Sequence, residues 1–122
     1  MLTLSRLIID THDDYDPWAD IVVGFTDDRE FVIRFEYKDY DDRSRDYLLS
    51  AYIDFDNAIR LSRQLRISLL ELPDCIEKEF GGPLDRCTAG EVKDTFDEIL
   101  DFIGSYRIRY RIRKEKKQDP ER

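Results

Sequence analysis

Histidine is almost missing from this sequence: in 122 residues only His12 is found. A nucleophile–base pair, or a metal site built on imidazoles, therefore has a single ring to draw on. Cysteine is nearly as scarce. Cys75 and Cys87 form neither a C-x-x-C pair nor a Cys/His ligand set, and two thiols are too few for the disulfide framework of a small secreted domain. Both are expected to be reduced and packed. No apolar run approaches the ~20 residues of a membrane span. The opening stretch MLTLSRLIID has no basic start, and Asp10 interrupts it before a signal peptide's apolar segment would be complete. These absences predict a cytoplasmic protein without membrane contact. Catalytic signatures are missing too: there is no G-x-S-x-G, phosphate-binding loop or dinucleotide fingerprint, and Gly81-Gly82-Pro83 reads as a helix stop and turn. No cofactor is expected, and the chain reads as a binder, not an enzyme.

Charge is plentiful. Charged residues make up 39% of the chain, well above the roughly 25% of average composition, while 41% hydrophobic and 12% aromatic residues are enough for one folded core. The formal net charge is -8, and it is unevenly spread. Residues 1–105 hold 25 acidic and 12 basic side chains, whereas residues 106–122 hold eight basic and three acidic ones.

Period-two and period-3.6 patterns divide the chain cleanly. Strands are expected over 2–9, 19–26, 30–38 and 46–54, joined by the Asp-rich turns THDDYDPW, DDR and DYDDRSR. The third is the clearest, with Phe31, Ile33, Phe35 and Tyr37 alternating with Arg34, Glu36 and Lys38. Asp56 is expected to cap a helix over 57–65. Ser68 with Glu71, and Thr88 with Glu91, have capping-box spacing. The first opens a segment to about Gly81 that Pro73 should split or kink, and the second opens a helix with Val92, Phe96, Ile99, Leu100 and Ile103 on one face and its stop at Gly104. YRIRYRIR, residues 106–113, would scatter its arginines around a helix but aligns them on one face of a strand. The expected fold is α+β: a two-layer sandwich, an antiparallel four- to five-stranded meander with two to three helices on one face, in the order β-β-β-β-α-α-α-β. Residues 1–113 form the single domain and 114–122 a charged tail.

In that fold Tyr106, Ile108, Tyr110 and Ile112 face the helices, and the arginines face outward. Their outward neighbours are Asp20, Val22, Glu30, Val32, Arg34, Glu36, Leu48, Tyr52 and Asp54. Strand four is the least decided, since Tyr47, Leu49, Ala51 and Ile53 compete as its core set. The arginines are expected chiefly to neutralise carboxylates on adjacent strands and to protect the sheet edge. Other constellations are weaker. Asp10, Asp14 and Asp16 echo calcium-loop spacing, but Tyr15 occupies the glycine position and Ile21 the final glutamate position. Residues 58–76 have a helix-turn-helix cadence, yet Arg66 stands where glycine is usual, and the second helix would present Glu71, Asp74, Glu77 and Glu79 to phosphates.

The function expected from these features is a small acidic protein-interaction module of the inhibitor or immunity type, binding a basic partner. Its acidic loops, 10–20, 27–30 and 39–46, would do so through Asp13, Asp14, Asp16, Asp41 and Asp42. The alternative is a nucleic-acid-associated accessory protein using Arg107, Arg109, Arg111, Arg113, Lys114, Lys116 and Lys117, with Tyr106 and Tyr110 as stacking partners. The sequence leaves the oligomeric state open, including pairing of two copies through a basic edge.

Overall fold

The computed structural model describes residues 2–11, 18–39, 43–81 and 88–116. It contains five strands, β1 (Thr3–Asp10), β2 (Trp18–Phe25), β3 (Phe31–Lys38), β4 (Tyr47–Ile53) and β5 (Arg111–Lys116). Between β4 and β5 come three α-helices, α1 (Phe55–Leu65), α2 (Leu72–Phe80) and α3 (Ala89–Ser105), with short 3-10 turns at Arg43–Arg45 and Leu69–Glu71. The strands form one antiparallel sheet in sequence order, β1-β2-β3-β4-β5. The α+β layout expected from the sequence is the one observed.

Alternation decides which face is buried. Phe31, Ile33 and Phe35 of β3 stand opposite Phe25, Val23 and Ile21 on one side and Ile53, Ala51 and Leu49 on the other. This face meets Ala58 and Leu61 of α1, Leu72 and Ile76 of α2, and Val92, Phe96, Ile99 and Ile103 of α3, nearly all without solvent contact. Each large aliphatic or aromatic side chain removed from water contributes roughly 1.5–3 kcal/mol, so this layer is the main source of stability. Phe35 joins the two layers, its ring 5.8 Å from those of both Phe96 and Tyr47. Tyr47, Leu49, Ala51 and Ile53 are thus the core set of β4.

Helix ends carry the expected signals, with two adjustments. The cap of α1 is Asp54, whose carboxylate accepts from the Asn57 N–H at 2.8 Å, and Asp56 lies in the first turn. At the other end the Ile67 N–H reaches the Ser62 carbonyl at 3.0 Å, and Arg66 takes the left-handed conformation, φ 61°, that favours glycine. Pro73 occupies the first turn of α2, where its missing N–H costs nothing. It therefore divides the segment into a 3-10 turn and a helix. The exposed side of α2 is turned to β1: Asp74 accepts from the Arg6 Nε at 2.8 Å, and Glu77 lies 4.0 Å from it. The helix-turn-helix cadence therefore belongs to a packed corner. At α3, Thr88 and Glu91 exchange both capping-box bonds, at 2.9 and 3.2 Å.

The end of α3 departs from expectation. The helix passes Gly104 to Ser105, and Tyr106 and Arg107 close a turn by donating to the Ile103 and Gly104 carbonyls, with Arg107 at φ 62°. Ile108 is buried, and pairing begins only at Arg111, opposite Tyr52. β5 thus starts five residues later than the alternation suggests and runs to Lys116, into the stretch expected as a tail.

Two outcomes follow from the helix ends. Arg66→Gly should stabilise the fold by about 1 kcal/mol, because it removes a left-handed side-chain conformation, and raise the melting temperature by roughly 4 °C in calorimetry. The Glu71 carboxyl is held below its ordinary pKa by the Ser68 N–H, 2.9 Å away. A lowered folded pKa means stabilisation present at neutral pH and lost as pH falls through that lowered value. Glu71→Gln keeps an acceptor but does not titrate. Urea midpoints should therefore favour the wild type at neutral pH and converge with those of the variant in acid.

Candidate interaction surfaces

The sheet face turned away from the helices is organised in rows by the strand register. One row runs Asp10, Asp20, Glu36, Leu48, Glu115, and the next runs Leu7, Val22, Arg34, Ser50, Arg113. In the first, three carboxylates stand directly opposite one another on adjacent strands, an arrangement that disfavours the sheet. Lys38 stands beside this row, its Nζ 3.8 Å from Glu36 and 5.1 Å from the centre of the Trp18 ring. Arg34 sits mid-sheet in the second row, and its Nε is buried without a hydrogen-bond partner among the described residues.

The acidic row marks the end of the sheet where β1 stops and β2 begins, and where β3 stops and β4 begins. Asp13, Asp14, Asp16, Asp41 and Asp42 lie outside the described residues, as does the rest of the calcium-like spacing beyond Asp10. Both segments that carry them nonetheless depart from and return to this same end. Each is clamped at its base. The Thr11 N–H donates to the Ala19 carbonyl at 3.0 Å, while the Ala19 N–H donates to the Thr11 hydroxyl at 3.3 Å. Across the other, the Asp39 N–H donates to the Asp46 carboxylate at 2.7 Å, with both residues buried. The third acidic loop, 27–30, is at the opposite end, roughly 25 Å away along an eight-residue strand. Register thus separates it from the other two.

The basic residues do not form a single stripe. Arg107 is in the turn after α3, and Arg109 lies in the link to β5. Arg111 and Arg113 stand on the open face, and Lys114, opposite Leu49, stands on the helix side with its Nζ 4.7 Å from the Tyr47 ring centre. Lys116 is opposite Tyr47 at the strand end, and Lys117 lies outside the described residues. Arg111 pairs with a carboxylate, as the sequence suggests, but across β4 and not on the adjacent strand. Its guanidinium lies 5.3 Å from the Tyr52 ring centre and 2.9 Å from the Glu30 carboxylate, so a cation spans β5, β4 and the start of β3. Val32, beside Tyr52 on the open face, is fully buried. Arg113 is 4.0 Å from Glu115 on its own strand.

A third surface was not legible beforehand. Leu4 takes a left-handed conformation, φ 53°, at an irregularity in β1. There β1 crosses Gly24 so closely that a Cβ would lie 2.9 Å from the Leu2 Cβ. Beside it an open groove of about 420 Å³ runs between Leu4, Phe25, Phe55, Leu69 and Leu70, with Arg29 at its rim. Leu4 and Leu70 are 56% and 63% exposed, a pairing that solvent does not favour. Periodicity could not reveal this, because both leucines lie where a regular element is interrupted.

Reactive groups are few. Among the described residues no cluster of His, Cys, Asp and Glu is arranged to hold a metal ion, and no helix is long and apolar enough to cross a membrane. Cys75 is a free thiol on α2 whose pKa is raised by partial burial and by Glu79, the opposite of an activated nucleophile. In a Cys87→Ala background it should react with iodoacetamide more slowly than free cysteine at mildly alkaline pH, as followed by mass spectrometry. Protein-family models, curated proteins and solved structures contain no match to this chain.

Proposed function

We propose that this protein is an intracellular protein-interaction module whose acidic sheet end binds a basic partner. The observation that carries this reading is the Asp10–Asp20–Glu36 row, with both Asp-rich connections leaving the sheet beside it. Like charges side by side lower fold stability and raise the local negative potential, a trade that suits electrostatic capture of a cation-rich surface. The clamped stems support it further, because a loop held at its base loses less entropy on binding. The half-exposed leucines at the opposite end add apolar area of the kind that protein partners cover.

A second reading, nucleic-acid association through the C-terminal cations, draws on one observation: Arg107, Arg109, Arg111, Arg113, Lys114 and Tyr110 are all exposed. The division of these cations between two faces and the Arg111–Glu30 pair weigh against a continuous phosphate-binding track.

The test uses a lysine-rich peptide as cationic probe. Neutralising Asp13, Asp14, Asp16, Asp41 and Asp42 to asparagine should slow association by about tenfold at low salt while the circular dichroism stays native. Neutralising Asp94, Asp97, Glu98 and Asp101 on α3 should leave the rate near wild type. Equal rates for both variants would overturn the acidic-end reading.

A further inference from the structure

β5 is the last strand of the sheet. Its inner side pairs with β4 from Tyr52–Arg111 to Tyr47–Lys116, and among the described residues no strand follows it in the sheet order. Such an edge is a template for another strand, and its side chains restrict which one. Arg111 and Arg113 stand with Tyr52 and Ser50 on the open face, whereas Ile112 and Lys114 stand with Ala51 and Leu49 on the helix side. Ile112 is 52% exposed, an apolar position with only an alanine across from it.

A second copy of this edge is a poor occupant. In full-length antiparallel self-pairing Arg111 would face Lys116 and Arg113 would face Lys114, and like charges directly opposite are destabilising. With four cations and one carboxylate in six residues, RIRKEK repels itself. An acidic strand reverses each of those terms. Arginine can hold a carboxylate with two hydrogen bonds, and an aliphatic side chain opposite Ile112 would cover it. The Arg111–Glu30 pair does not block this, because the Arg111 side chain is itself exposed and its guanidinium has donors to spare. A polynucleotide would meet the same cations, but it could not use the row of backbone donors and acceptors.

We propose that the outer edge of β5 takes an extended acidic segment of a partner protein by strand addition, with carboxylates facing Arg111, Arg113 and Lys114 and an aliphatic residue facing Ile112. This site touches the acidic sheet end only at Glu115 and Lys116 and does not depend on that reading.

The experiment is amide NMR on the isotope-labelled full chain, titrated with a blocked peptide Glu-Thr-Glu-Glu-Val-Glu, whose residues face Lys116 through Arg111 in antiparallel order. Shifts should concentrate in residues 111–116. A version N-methylated at the edge-facing amides should not bind, although its charge is the same. Arg113→Glu with Lys114→Glu should weaken binding by about tenfold or more and leave shifts elsewhere native, since both side chains are exposed. Equal binding of the methylated peptide, or no binding, would overturn the proposal. So would tighter binding of oligothymidylate at the same amides, which would make the edge a nucleic-acid surface. Self-association through β5 in light scattering would also overturn it, in favour of a second copy.

Discussion

β3 holds Phe31, Ile33 and Phe35 against the helices while paired along its length to β2 and β4. A strand changes face at every residue, so a slip of one position would carry Arg34 and Glu36 into the core. Burial of three aromatic and aliphatic side chains therefore fixes the register, and the register in turn fixes what lies on the other face. The acidic row, the arginine-bearing row beside it, and the bridge from Arg111 across Tyr52 to Glu30 are consequences of that one constraint. None of these is held by its own energy, since exposed pairs contribute at most about 1 kcal/mol.

The strands, the capping boxes and the helical stripe were legible because each rests on local chemistry: alternation in EFVIRFEYK, and the Ser68–Glu71 and Thr88–Glu91 spacings. The start of β5 was not. YRIRYRIR alternates throughout, but a strand also needs a neighbour, and β4 ends where Asp54 turns to cap α1. By register residues 106–109 fall beyond the end of β4, so the chain completes the turn after α3 and buries Ile108 before it pairs. Asp54 is hidden as a cap for a related reason: it also continues the alternation of β4, and sequence spacing alone does not separate the two roles. The groove beside Leu4 was beyond reach, because a left-handed leucine carries no compositional mark. The convergence of the two Asp-rich segments was half legible, as their composition was plain and their common end required the topology.

Charge sign is therefore a poor guide to this molecule if averaged. A net of -8 coexists with an edge strand of four cations, and register lets the two regions meet only at Glu115 and Lys116. One end and one edge of the same sheet thus offer opposite electrostatic preferences.

The clamps at Thr11–Ala19 and Asp39–Asp46 have a further effect on how this fold can change over time. They close each hairpin with buried bonds at its base, so the register of β1 with β2 and of β3 with β4 is set on the sheet side of the clamp. Lengthening a loop beyond such a point costs only a slowly growing closure entropy. The segments past the clamps can therefore gain, lose or rearrange residues without disturbing the strands that carry them. The sheet acts as a fixed frame, and its acidic end can diversify independently of the core.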